Sequence, residues 1–153
     1  MEHHSFMPKK GQVDYTNARY APVLNCVVRY KEKILIVQRT SKMRLYPDLW
    51  NGISGFLDDE KKVEDKAKEE LVEEIGIRPS QISALRRGEI FEKEDEKYSK
   101  TWIIYPVLVD VDTDEIMLDW EAENFKWIKP SELKDYNLVP GYDHVVHGLL
   151  AKS

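Results

Sequence analysis

Apolar and β-branched residues crowd positions 23–30 and again 34–39, with the polar trio Lys31-Glu32-Lys33 between them. Two such runs around a short polar break predict a β-hairpin. Residues 40–48 are polar and include Pro47, which predicts a loop, and residues 49–53 predict a short strand running into Gly52 and Gly55. From Val63 the period changes. Val63, Ala67, Leu71 and Ile75 recur every four residues and form one apolar stripe, which predicts an α-helix. Glu64 and Asp65 fall in its first turn, where the helix dipole favours anions. Gly76 suits the left-handed position after the last turn, with Ile77 folding back on Val72. Further strands are predicted over residues 83–91, 101–111 and 124–128. The charge run Glu92-Lys93-Glu94-Asp95-Glu96-Lys97 reads as a solvated hairpin tip joining the first two. Pro106 has no backbone donor, so its strand is expected at an edge or with a bulge. Pro130-Ser131-Glu132-Leu133 reads as a short helix start, and residues 142–151 as a closing helix. The result is an α/β pattern: a mixed sheet between helices.

Composition narrows the class. The 153 residues suit one domain, and 42% hydrophobic with 33% charged residues excludes a disordered chain. The first twenty residues are polar and aperiodic and read as a flexible arm, leaving residues 21–153 as a single domain. One cysteine, Cys26, excludes a disulfide framework and a cysteine-based zinc site; in an apolar strand it reads as a small buried hydrophobe. The longest apolar run, residues 102–109, is far short of a membrane span and contains Pro106. The N-terminus shows no cationic segment followed by an apolar one, so the expectation is a cytoplasmic protein without a membrane partner. Lys plus Arg number 23 against 28 Asp plus Glu, a net charge of −5. That balance argues against a nucleic-acid polymer as partner. It leaves room for a small phosphorylated substrate if a metal supplies positive charge.

Glu69, Glu70, Glu73 and Glu74 lie within one and a half turns of the predicted helix. Glu70 is three residues from Glu73 and four from Glu74, so these three share a face. Carboxylates this close repel, and without a balancing cation at least one pKa must rise. The plainer reading is a solvated acidic face broken by Lys66 and Lys68. Against it, the acidic face adjoins the apolar stripe, and the helix follows the glycine-containing segment Asn51-Gly52-Ile53-Ser54-Gly55, where backbone can approach a ligand closely. Oxygen ligands of this kind suit Mg²⁺ or Mn²⁺.

Residues 55–77 resemble the Nudix box, the signature of the Nudix hydrolases: Gly, five residues, Glu, seven residues, then Arg-Glu-apolar-any-Glu-Glu-any-Gly-apolar. Gly55, Glu70, Leu71, Glu73, Glu74, Gly76 and Ile77 stand in register with it. The resemblance spans roughly residues 23–150 and takes in Pro47-Asp48-Leu49-Trp50 and Phe125-Lys126-Trp127-Ile128. It implies an α/β/α sandwich with a mixed sheet. It also implies a divalent-metal pyrophosphatase, using Mg²⁺ or Mn²⁺, that acts on nucleoside diphosphates linked to another moiety. By the same resemblance Glu70 and Glu74 are the chief metal ligands, assisted by Glu73 and the Gly55 carbonyl. The general base is a box Glu such as Glu73, or Glu121 or Glu123 in the segment Asp119-Trp120-Glu121-Ala122-Glu123. Two positions depart from the pattern: Lys61 replaces its first Glu and Glu69 its Arg. In many members those two residues form an ion pair. Here the signs are exchanged together, which predicts a charge-swapped brace; the rival reading is a box that has lost catalysis.

Arg39 and Arg44 are candidates to hold a substrate phosphate as bidentate donors. Tyr46, Trp50 and Trp120 are candidates to stack on a base. His144 and His147 lack an evident third ligand for zinc. Two other functions remain in view: a nucleotide- or partner-binding module, and an isopentenyl-diphosphate isomerase. Residues 38–50 are similar to the isomerases, but residues 51–55 lack their cysteine and histidine. The expected partner is a small nucleotide. A homodimer is compatible with the sequence, which does not decide the oligomeric state.

Overall fold

A computed structural model of the chain describes residues 13–151. The strands are β1 (Tyr20–Tyr30), β2 (Lys33–Arg39), β3 (Trp50–Asn51), β4 (Ile53–Phe56), β5 (Ile82–Arg87), β6 (Phe91–Asp95), β7 (Lys100–Val111) and β8 (Ala122–Ile128), with helices α1 (Val63–Ile75) and α2 (Tyr142–Leu150). All eight strands belong to one mixed sheet with the path β3-β2-β1-β7-β5; β4 pairs with β1, β6 with β7 and β8 with β2. β1 and β7 run parallel at its centre, from Tyr20↔Thr101 to Arg29↔Asp110.

Strand alternation divides the core between the two faces. Leu24, Cys26 and Val28 face α1, joining Ala67, Leu71 and Ile75. Ala21 and Val27 face α2, joining Tyr142, Val145, Val146 and Leu149. The α/β/α sandwich is thus a consequence of a central strand apolar on both sides. α1 has the predicted bounds, and Gly76 closes it at φ 72°, with its N–H and that of Ile77 bonded to the carbonyls of Val72 and Leu71. Among the described residues no helix is long and apolar enough to cross a membrane.

The structure corrects three local expectations. The strand expected over 83–91 breaks after Arg87, and Phe91–Asp95 starts a new one, so most of the charge run is paired strand. Its charged side chains fit an exposed edge, and the tip shrinks to a 3₁₀ turn at Glu96–Tyr98. Pro106 lies on a central strand instead of an edge. It falls where β5 ends and β6 has not begun: Arg87 opposes Val107, Phe91 opposes Ile104, and the Pro106 carbonyl accepts from the Gly88 N–H. The missing donor therefore faces a gap in the neighbouring strands. The short strand expected over 49–53 is split at Gly52, where a Cβ would come within 2.4 Å of the Cys26 carbonyl.

Of the segment read as an arm, residues 1–12 lie outside the described residues. Tyr15 stacks on Phe56 at 6.0 Å, and the buried Lys100 ammonium donates to the carbonyls of Tyr15, Thr16 and Ala18.

β1 pairs with β4 over Val23–Cys26 and with β2 only at Arg29 and Tyr30. The site described next opens where β1 exchanges these partners.

Candidate active site

A cavity of about 1020 Å³ is bounded by β1, β4, the loops after β2 and β4, the face of α1 that carries Lys66, Glu69, Glu70 and Glu73, and the segment before β8. Glu69, Glu70 and Glu73 line it, with one carboxylate oxygen from each within 4.8 Å of the others. Helical spacing brings Glu70 and Glu73 together, and Glu69 joins them while held by Lys61 and Lys66.

Gly55 sets how closely the loop can approach. A Cβ there would lie 2.7 Å from Glu70 Oε1. The Gly55 φ is not in the left-handed region, so an alanine fits the backbone and collides only with the carboxylate. Gly55→Ala should keep the fold and weaken Mn²⁺ binding by about tenfold or more, as displaced metal environments do. A Mn²⁺ titration checks this, and unchanged affinity would dissociate the Glu70 carboxylate from metal binding.

Glu74 lies at the foot of the cluster, buried, and its Oε2 has no protein donor. Burial, then a hydrogen bond with Glu70, then the charge of Glu121 push its pKa well above the ordinary carboxylate range. Burial also raises the Glu70 pKa. Burial and mutual repulsion thus disfavour a charge on both carboxyls of this pair. Orphaned buried carboxylate oxygen, a glycine cradle and an all-oxygen donor set fit a hard divalent cation. Glu70, Glu73 and Glu74 are the residues that would hold it.

Glu69 is otherwise engaged. Its Oε2 bonds Lys61 Nζ, and its Oε1 lies 3.1 Å from Lys66 Nζ. The two departures from the box thus meet as the charge-swapped brace, with Asp59 3.7 Å from Lys61. The Lys61 side chain is half exposed, so solvent screens the pair and its contribution to stability is small. Lys61→Glu and Glu69→Arg should each lower the melting temperature. The double exchange should recover most of the Lys61→Glu loss but not all of the Glu69→Arg loss, because Lys66 also needs Glu69. An additive double-mutant cycle would discard the brace.

Lys66 is the residue that sequence reasoning missed. It is 5% exposed, and its ammonium faces Asp58, Asp59, Glu69 and Glu70. Burial opposes its charge, but the bond to Glu69 and the charges of Asp58 and Glu70 hold its pKa above the ordinary lysine value. In sequence it looked like a break in an acidic face. The signal was its place beside Ala67, one turn before Glu70, on the buried side.

Glu121 lines the cavity and Glu123 is exposed on β8 outside it. Loop residues stitch Glu121 into place. Met117 and Asp119 N–H groups donate to the carbonyls of Ile75 and Glu74, the Glu121 N–H donates to Asp119 Oδ1, and the Glu121 carbonyl accepts from Thr40 N–H. Burial, with help from Asp119, pushes the Glu121 pKa up to about 7.

Arg39 lines the cavity from the end of β2, mostly buried, and its Nε donates to the Leu45 carbonyl at 2.9 Å. Burial lowers its pKa, while Glu121 and Glu74 favour its charge. Arg44 is exposed at the rim. Tyr46 lines the cavity at φ 51°; its hydroxyl donates to Asp95 and accepts from Trp102 Nε1. Trp120 is at the mouth, 51% exposed. Trp50 is turned away: β3 directs Asn51 into the cavity, so its neighbour faces the other side, edge-on to Tyr136 at 5.4 Å. His144 packs on Phe91, with ring centroids 4.2 Å apart. Cys26 is fully buried.

Comparison with known proteins fits this geometry. Among solved structures, an Ap4A hydrolase from C. elegans matches with TM-score 0.70 and 18% identity over 86% of this chain and 96% of that one. A NUDIX hydrolase from Nitrosomonas europaea matches with TM-score 0.72 and 15% identity over 86% and 89%. A bifunctional NMN adenylyltransferase/ADP ribose pyrophosphatase from Francisella tularensis, complexed with AMP and a Mn ion, matches with TM-score 0.69 and 23% identity over 87% of this chain and 42% of that one. At such identities the likeness is one of fold. No curated protein sequence matches the chain. The family model for the NUDIX domain matches residues 19–149, and the chain belongs to the Nudix hydrolase family.

Proposed function

We propose that the chain is a divalent-metal-dependent pyrophosphohydrolase whose substrate is a nucleoside diphosphate linked to another moiety. The observation that carries this reading is Glu70 and Glu73 on the wall of a cavity that also holds Arg39, Arg44 and Glu121, with the buried Glu74 Oε2 orphaned on the same helix. When bound, Mg²⁺ or Mn²⁺ supplies positive charge to the phosphates and acidifies water. Arg39 and Arg44 hold phosphate oxygens, and Glu121 takes the proton of the attacking water. A new P–O bond forms at one phosphorus, the anhydride P–O bond breaks, and the second phosphate leaves with the electron pair.

Two features support a nucleotide over bare pyrophosphate. The volume of the cavity exceeds what two phosphates need, and its far wall is apolar, built from Phe56, Trp102, Ile104 and Val139. Its floor is polar: Asn25 Nδ2 donates to Asn51 Oδ1 at 3.0 Å, and Asn51 Nδ2 to Ser54 Oγ at 3.3 Å. Asn25 Oδ1 is left buried without a donor. An apolar wall facing the polar amides of Asn25 and Asn51 suits a heterocycle.

The test is a substrate panel with Mg²⁺, with Mn²⁺ and with EDTA: ADP-ribose, dinucleoside polyphosphates, nucleotide sugars, nucleoside triphosphates and inorganic pyrophosphate. The expected result is metal-dependent cleavage of one nucleotide class, with Asn25→Ala raising KM more than it lowers kcat. Cleavage of inorganic pyrophosphate alone would remove the nucleotide from the reading.

A further inference from the structure

The brace and the ligand set leave one buried charge without a task. Lys66 Nζ lies 3.1 Å from Glu69 Oε1, 3.5 Å from Asp58 Oδ1, 3.6 Å from Asp59 Oδ2 and 3.8 Å from Glu70 Oε2. Four carboxylates surround an ammonium that has three protons, so it acts on them chiefly as a point charge. A buried ammonium is costly unless compensated, which accounts for some of those acids but not for the choice of Glu70. A tie between loop and helix does not require it either, because the half-exposed Lys61 already joins Asp59 to Glu69. What distinguishes Lys66 is its reach into the metal set. Glu70 Oε1 is held against Gly55, while Glu70 Oε2 faces the Lys66 ammonium.

We propose that Lys66 is a resident cation of this site: its ammonium, set among Asp58, Asp59, Glu69 and Glu70, competes with the divalent ion for the charge of Glu70 and so weakens metal binding. The inference rests on the reading of Glu70, Glu73 and Glu74 as metal ligands. The ammonium divides the acidic surface in two. Asp58, Asp59 and Glu69 are paired with lysine, and Glu70, Glu73 and Glu74 remain for metal, with Glu70 belonging to both halves. Lys66 also lines the cavity, so the same fixed charge faces the phosphates of a bound substrate and remains when the metal dissociates.

The experiment is a Mn²⁺ titration of the full chain without substrate, followed by electron paramagnetic resonance, with folding checked by circular dichroism. Lys66→Gln should bind Mn²⁺ about tenfold more tightly, the scale of one nearby charge in a partly buried site. Lys66→Arg, which keeps the charge, should stay close to the parent affinity. Asp58→Asn leaves the ammonium less compensated and should weaken binding by about threefold, and it keeps the test valid if Lys66→Gln does not fold. A folded Lys66→Gln chain with unchanged or weaker Mn²⁺ binding would overturn the proposal, as would unchanged or tighter binding by Asp58→Asn. Glu74→Gln is the control. Failure of the parent and Lys66→Gln chains to exceed Glu74→Gln in Mn²⁺ uptake would overturn the metal reading itself, whereas equal uptake by parent and Lys66→Gln, both above that control, overturns only the role of Lys66.

Discussion

Glu74→Gln lowers metal-dependent turnover by about 10³-fold or more, equivalent to about 4 kcal/mol of barrier, and leaves the chain folded. The substitution keeps the shape and removes only the charge at an oxygen that no protein donor satisfies. Its stability effect has the opposite sign from its activity effect. The Glu74 pKa in the folded, metal-free chain is well above its ordinary value, first through burial and then through Glu70 and Glu121. As pH rises past about 4.5 the unfolded chain releases this proton while the folded chain keeps it, so folding loses stability up to the raised folded value. Glutamine carries no such penalty. The metal-free Glu74→Gln chain should therefore melt higher than the parent at pH 7 and equally near pH 4. Added Mn²⁺ should raise the melting temperature of the parent only, since a ligand stabilises the state that binds it. Parent-like turnover in this variant would remove Glu74 from the metal set.

Glu121→Gln costs about 10²–10⁴-fold in kcat with little change in KM, the range for a lost general base. The side chain lies on the cavity wall, and burial together with Asp119 raises its pKa to about 7. A base must be ionised to accept a proton, so the parent rate should rise with pH through that region. A divalent cation in the carboxylate site favours the ionised form, so the rising limb should lie at or below about pH 7. In Glu121→Gln that limb should vanish, leaving a flat and much lower profile. Glu123→Gln is the matched comparison and should behave as the parent, because Glu123 is exposed outside the cavity. A Glu121→Gln enzyme that keeps both its rate and its limb would shift the base to a box glutamate such as Glu73.

What the sequence made legible was mostly periodic or local. The four-residue recurrence from Val63 to Ile75 marked α1 because one stripe must be buried, and Glu70, Glu73 and Glu74 follow from spacing on that helix. The Lys61–Glu69 pair was readable because two departures of opposite sign explain each other. The misses involve partners set by topology. The four carboxylates around Lys66 come from two segments, and Glu121 and Glu123 part because Glu121 precedes β8 while Glu123 falls at the register shift opposite Gln38 and Arg39. Asn25 and Asn51 meet across 26 residues because β1 switches partner between β4 and β2. Pro106 argued for an edge by a sound rule, and β7 evades it because two different strands cover its ends and neither covers its middle. Trp50 has the chemistry to stack on a base, but strand parity directs Asn51 to the cavity instead.

If the carboxylate site directs water onto a phosphorus of a phosphoanhydride, single-turnover cleavage in ¹⁸O-labelled water will show it, using the substrate the panel identifies. One ¹⁸O atom should appear in one phosphate product, and EDTA or Glu74→Gln should abolish its appearance. Label found outside the phosphates, or label that enters at an undiminished rate with EDTA present, would contradict it.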